Sequence, residues 1–373
     1  GQLMLQVRAY DGKDLDSVQA VIQEGLAEFD KNGIPQKDLK RIKAGLETNF
    51  YNSISSVLGK GFQLAQYDIF ANDPNFINKE IEKLLAVSSE DVLRVFRKYI
   101  KDQHYVATSF VPKNQLDLAL ENSEKAEVVE EKIVEGAEED FDASQSVDYP
   151  KTASSFDRTI EPPYSAKPEL VIPEIWKTTM PSGLKVMGIT NKEVPLVQFS
   201  LEIKSGQLLE TKEKAGVANL LANLMNRGTA KKTPAELEEA IELLGARIYV
   251  SSSEEKISIT GNTLAKNYAE TMKLVDEMLL QPRWDESEFE LIKQQTLSRI
   301  KQQEGDPNNI ASNEFRKLVY GENSILSMNE MGTTESVENI TLKDLKAYYS
   351  ENLSPLNATY LVVGDLNLEK AKN

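Results

Sequence analysis

The chain repeats itself, and that repeat limits its fold more than any other feature. Residues 87–111, VSSEDVLRVFRKYIKDQHYVATSFV, run in the same order as residues 339–363, NITLKDLKAYYSENLSPLNATYLVV. Each stretch reads as a hydroxyl cap, an Asp, an apolar stripe with Tyr, a turn and an alternating strand. Residues 34–50, IPQKDLKRIKAGLETNF, match residues 284–300, WDESEFELIKQQTLSRI, at nearly the same offset of about 250 residues. Repeated order at a fixed offset implies two copies of one α+β unit. The first copy has no counterpart of residues 175–250, so it reads as the back half of a domain. Sheet edges left by absent front strands need a cover. The expectation is a piece of something larger.

Local signals fill in this frame. Residues 3–10, LMLQVRAY, alternate as a strand does, and Asp14 or Asp16 caps a helix that closes at Asn32-Gly33. Pro35 opens a second helix at a position that tolerates a missing N–H. A further helical stretch, FQLAQYDIF, ends in the turn Asn72-Asp73-Pro74. Ser88 or Ser89 caps the helix before YVATSFV, which alternates as a strand. In the later part, IWKTTMPSGLKVMGIT predicts a hairpin turning at Pro181-Ser182-Gly183, and LVQFSLEIKSG a strong strand. GVANLLANLMNRGT, residues 216–229, is an apolar helix ending in a Gly turn. Thr233-Pro234-Ala235-Glu236 is a capping box that starts a helix ending at Gly245. Two strands, two helices separated by Gln281-Pro282, a last helix from Thr341 and the strand ATYLVVGDL complete the order.

Between the copies the character changes. From Glu121 to Asp148 there are eleven acidic residues against Lys125 and Lys132, followed by the prolines of EPPYSAKPELVIP. Such a segment is too polar to bury a core and repels itself into an extended tether. The expected division is 1–115, the back half of a domain; 116–168, the linker; and 169–373, a complete domain.

Charge and residue counts exclude whole chemistries. The net charge is −16, with 59 acidic against 43 basic residues. That balance argues against nucleic acid, whose phosphates reward clustered Lys and Arg, and against anionic membrane surfaces. The chain has no cysteine, which removes disulfides, Cys-ligated zinc, iron–sulfur clusters and thiol catalysis. No apolar run is long enough to predict a membrane-spanning helix. The single histidine, His104, opens an alternating stretch and reads as structural. One histidine falls short of the two or three that a peptidase zinc site usually takes.

The helix at 216–229, preceded by an alternating strand and followed by Thr-Pro-Ala-Glu-Leu, resembles the insulinase/pitrilysin (M16) family of zinc peptidases. The active family helix reads Gly-x-Ala-His-x-x-Glu-His-x-x-x-x-Gly-Thr. Laid on this chain, Gly216, Ala218, Gly228 and Thr229 keep the family identities. The two zinc histidines fall at Asn219 and Asn223, and the catalytic Glu falls at Ala222. The third family ligand, a Glu on a later helix, falls in QTLSRIKQQ at Ser298 or Arg299. Histidines four apart on a helix reach one metal, and the Glu polarises its water. Here the spacing survives and the ligands do not. GDPNNIASNEFRKLVYG, MGTTESVENITLKDL and NATYLVVGDL follow the family's order, as do GIPQKDLKRIKAGLE and SSEDVLRVFRKYI in the first copy.

The resemblance implies an α+β fold of two-layer antiparallel sheets covered by helices, of the LuxS/metallohydrolase-like kind. Family members are commonly built as four such units in two halves that close over a peptide. On that template the chain matches the back half of the second unit, the linker between halves and a degenerate third unit. The implied role is a non-catalytic portion of a peptide-hydrolysing parent, or else a non-enzymatic scaffold or peptide-binding subunit. No catalytic residue, metal ligand or cofactor is expected in this chain, and zinc belongs to a catalytic unit supplied by the parent or a partner subunit. Peptides are the expected ligands, with Phe199, Leu201, Ile203, Asn219 and Asn223 as candidate contacts. Likeness to bacterial members implies a periplasmic or cytoplasmic setting. A carboxylate-only metal or glycosidase-like site has little support, because clusters such as ELEEAIE read as solvated helix faces.

Overall fold

The computed structural model describes residues 3–126 and 171–372, with residues 157, 159–161, 163 and 169 between them. The acidic tether of the sequence reading therefore lies mostly outside the described residues. Contacts divide the chain into two units, one of Gly1–Glu28 with Asp102–Ile172 and the other of Phe29–Lys101 with Pro173–Asn373.

Among its described residues the first unit holds the opening turns of helix α1 (Leu15–Asn32) and little other regular structure. Asp14 caps α1, accepting from the Ser17 N–H at 2.8 Å. Gln19 donates to the Tyr105 hydroxyl, and the Glu121 N–H donates to Asp16. The two strands expected here, at residues 3–10 and 105–111, do not form. Both segments alternate as strands do, but neither has a neighbouring ladder to take its N–H and C=O groups among the described residues. Val106 is 92% exposed and Phe110 95%.

The second unit begins with the last turn of α1 and with α2 (Gln36–Ser53), α3 (Val57–Ala71), α4 (Phe76–Ala86) and α5 (Ser89–Tyr99). Glycines 59 and 61 lie inside α3. Ser88 caps α5 through a reciprocal box with Asp91. Phe29 meets Phe96 edge-on at 4.9 Å, and Asp30 takes Arg97 and Lys101, which ties the end of α1 to α5.

Among the described residues six strands form one sheet: β1 (Trp176–Thr179), β2 (Lys185–Thr190), β3 (Leu196–Ile203), β4 (Arg247–Ser252), β5 (Ile257–Leu264) and β6 (Ala358–Gly364). Their spatial order is β1-β2-β6-β3-β5-β4. The β1–β2 hairpin turns at Gly183, whose φ of +89° suits a residue without Cβ. Every pairing is antiparallel except β2 with β6, which corrects the all-antiparallel expectation at one place. The reason is connectivity. A parallel neighbour needs a long crossover, and more than 160 residues of strands and helices separate β2 from β6.

The helices of this part are α6 (Val217–Met225), α7 (Pro234–Leu243), α8 (Tyr268–Leu280), α9 (Glu286–Glu304), α10 (Pro307–Tyr320), α11 (Thr334–Asn339), α12 (Leu342–Asn352) and α13 (Leu368–Ala371). The capping box at Thr233 and Glu236 forms as its sequence signals. One face of the sheet packs against helices in a core that includes Phe199, Leu201, Ile203, Leu220, Leu224, Phe289, Ile292, Leu345 and Tyr360. Period-two alternation on β3 sends Phe199, Leu201 and Ile203 into that core and Gln198, Ser200 and Glu202 to the other face.

Helix α2 docks onto this sheet-bearing part. Gly245, just past α7 at φ +60°, comes so close that a Cβ there would lie 2.4 Å from the Ala44 carbonyl oxygen. Thr48 donates its hydroxyl to the Gly245 carbonyl at 2.7 Å and is buried. Around this contact lie the ion pairs Lys37–Glu239, Arg41–Glu242 and Lys266–Glu47, each at 2.7 Å. Pairs as exposed as the first two contribute about 0–1 kcal/mol apiece, so the close crossing at Gly245 carries more of the docking.

Candidate functional site: a helix without ligands

Helix α6 is apolar nearly all round because it is buried nearly all round: Val217, Ala218, Leu220, Leu221, Ala222, Leu224 and Met225 have almost no exposed surface. Its entry demands Gly216, at φ +99°, where a Cβ would lie 2.5 Å from the Met331 carbonyl oxygen. Its exit uses Gly228, also at +99°. Both glycines of the sequence pattern are thus set by backbone geometry, and neither requires a metal.

The helix N-terminus is capped by a residue that sequence reading passed over. Glu210 accepts from the N–H groups of Gly216 at 2.9 Å and Ala218 at 2.8 Å. Burial pushes its carboxyl up to about 7, working against those two hydrogen bonds, and the nearby Glu330 adds to the rise. Glu210 stands six residues ahead of the helix's entry residue Gly216, beyond the local spacing at which a cap is recognised in sequence. Across the same region Tyr348 donates its hydroxyl to the Gly206 carbonyl at 2.9 Å.

Asn219 and Asn223 lie one turn apart on the part-exposed stripe of α6, as their spacing predicts. The Asn223 amide donates to the Asn219 backbone carbonyl at 2.9 Å and to the Asn219 side-chain oxygen at 3.1 Å. One hydrogen bond thus joins the two side chains. Ala222 is 2% exposed and has no group that takes a proton. A zinc ion does not fit this arrangement: two neutral amides are poor donors, one is turned toward its neighbour, and no base stands beside them. Among the described residues no group of three or more His, Cys, Asp or Glu side chains is positioned to hold a metal. Ser298 and Arg299 are exposed on α9, where they line a shallow depression with Leu291, Gln294, Gln295 and Gln302.

The remaining sequence candidates separate. Phe199, Leu201 and Ile203 are 4%, 8% and 3% exposed, so their side chains belong to the core and are closed to a peptide in this conformation. The hydrophobic alternation that suggested them marks the face turned away from solvent. The open face of β3 offers Gln198, Ser200 and Glu202; by register Ser200 lies between Thr260 and Leu361, and Tyr249 pairs with Thr260. His104 is exposed in the first unit.

Residues 185–327 match the profile of the insulinase family (peptidase family M16). A Helicobacter pylori protein described as the non-peptidase homolog YmxG is 26% identical over 180 residues, covering 48% of this chain and 41% of that protein. The probable mitochondrial-processing peptidase subunit beta of Arabidopsis thaliana is 22% identical over 201 residues, covering 54% of this chain and 38% of the relative. The chain thus spans less than half the length of these curated relatives. A solved structure of a peptidase M16 inactive domain from Pseudomonas fluorescens superposes with a TM-score of 0.51 at 25% identity, covering 53% of this chain and 48% of that one. The fold is α+β, and its helix-covered sheet is similar to that M16 inactive domain. No helix among the described residues is long and apolar enough to cross a membrane.

Proposed function

Taking residues 185–327 as an M16-like domain, we propose that the chain is a non-catalytic portion of an M16-type zinc metallopeptidase. It supplies wall and hinge to a chamber that holds peptides, while zinc and the catalytic groups reside in another unit of the parent or in a partner subunit. The observation that carries this reading is the state of α6, where the Asn223 amide donates to Asn219 and Ala222 stands in the place of the base. In this assignment 1–115 and 169–373 are two units of the larger architecture and 116–168 is the tether between them. Peptide meets the open polar face of the sheet around Gln198, Ser200, Glu202, Tyr249 and Thr260, where polar side chains accept many sequences.

A second reading has its own support. Similarity to a non-peptidase homolog and to an inactive domain favours a scaffold that binds peptides, or helps assemble a complex, with no cleavage anywhere in the assembly.

One assay series separates these. The purified chain, loaded with zinc and desalted, is expected to hold no metal and to leave a fluorogenic peptide library uncut. Turnover abolished by a chelator sinks both readings. Mixing the chain with an M16 subunit that carries an intact His-x-x-Glu-His helix then distinguishes them: raised turnover supports the peptidase portion, and unchanged turnover supports the scaffold.

A further inference from the structure

Strand β4 lies at one edge of the sheet, where unpaired backbone groups ordinarily invite an added strand. Its central residue is already taken. The Val250 N–H donates to the side-chain oxygen of Asn226 at 2.9 Å, and the Asn226 amide donates back to the Val250 carbonyl at 2.8 Å. One planar side-chain amide thus presents to β4 the donor and acceptor that a residue of a neighbouring strand would present. The same nitrogen also donates to the Ala222 carbonyl at 2.9 Å, which anchors the amide to the last turn of α6.

The register shows how much of the edge this closes. In an antiparallel pair, residues alternate between bonding their partner and facing outward. Val250, opposite Ile259, faces outward, so the other outward residues of β4 are Ile248 and Ser252. Val250 sits between them and is fully buried. Just beyond Ser252, the Ser253 and Glu254 carbonyls accept from the Gln207 and Leu208 N–H groups, so the chain's own loop covers that end. An incoming strand needs successive outward residues and finds the middle one occupied.

We infer that Asn226 is a specificity-determining residue that seals the β4 edge against strand addition, so that this domain refuses extended peptides there. The inference deepens the proposed function by fixing where a peptide does not bind: the polar sheet face stays open while the edge is shut. It is independent of catalysis, because the Asn226 side chain, at the C-cap of α6, bonds within that helix only to the backbone carbonyl of Ala222 and to none of the side chains of Asn219, Ala222 and Asn223.

The test uses the full chain and a peptide copying β5, ISITGNTL, that carries fluorescein and a benzophenone photo-crosslinker; β5 is the strand that β4 already accepts on its inner side. For the wild type, the Val250 amide is expected to exchange slowly with deuterium, and no labelled peptide should cross-link to β4. In Asn226→Ala the Val250 amide should exchange about tenfold faster or more, with peptide cross-links appearing on residues 247–252. Asn226→Asp, which keeps the acceptor for the Val250 N–H and loses the donor, should fall between the two. Unchanged Val250 protection in Asn226→Ala overturns the inference. So does cross-linking of the peptide to β4 in the wild type, a result that stands even if the variants fail to fold.

Discussion

The two copies of the repeat were dealt the same helices and ended with different sheets. Helices α5 and α12 are each eleven residues long, and each starts from a reciprocal box, Ser88 with Asp91 and Thr341 with Asp344. In α2 and α9, Leu39 and Phe289 take matching positions, and both are buried. The segment after α12 is β6, parallel to β2 and antiparallel to β3. The segment after α5, residues 105–111, carries the same alternation and stays unpaired. A helix closes its hydrogen bonds within itself, so caps and stripes are enough to specify it. A strand borrows half its bonds from a neighbour, and without that neighbour its pattern has nothing to act on.

The comparison can be broken most sharply by hydrogen exchange. Amides of β6 should be protected at least about a thousandfold more than those of residues 105–111, since exchange from a core strand requires large-scale opening. Equal protection would mean that 105–111 has found a ladder in solution. Matched core truncations come next. Phe289→Ala should cost about 3–5 kcal/mol and Leu39→Ala about 2–3 kcal/mol, read from denaturant midpoints. A reversed order would show that the first copy holds its helices more firmly than its burial indicates. Smaller again are the caps. Ser88→Ala and Thr341→Ala should each cost about 1 kcal/mol, with similar values expected because both boxes have the same geometry.

The subtlest test is pH. Glu210, with no counterpart in the first copy, has its carboxyl raised in the folded state to about 7 from an ordinary value of 4.5. Between those values the folded chain holds a proton that the unfolded chain releases. Its contribution is therefore full below about pH 4.5 and is lost as the pH rises through about 7. The thermal midpoint should fall from pH 5 to pH 8, and Glu210→Gln should flatten that slope. An identical slope in the variant would assign the dependence elsewhere.

How much was legible beforehand follows the same physics. The capping boxes at Thr233 and Thr341, the hairpin at Gly183 and the glycine-bounded helix α6 could all be read, because each signal sits within a few residues of what it sets. The spacing of Asn219, Ala222 and Asn223 placed them on one helix as expected. Non-local facts could not be read. The alternation in LVQFSLEI shows that one face is buried without showing which face a ligand would meet, and the core claimed Phe199, Leu201 and Ile203. Glu210 and Asn226 act on backbone groups brought to them by folding, Asn226 on a strand 24 residues away. The parallel β2–β6 pair depends on a crossover whose direction no single segment records.

The crossing of α2 over Gly245 bears on how such a chain can change over generations. Surface charges around it, such as Lys37 and Glu239, are free to drift at small cost. Gly245 is held twice, by a backbone conformation that side chains rarely adopt and by the carbonyl of Ala44 in the space where a Cβ would go. Any lineage that replaces this glycine must first loosen α2, so the seam between the two copies changes in one order only: the helix gives way before the turn does.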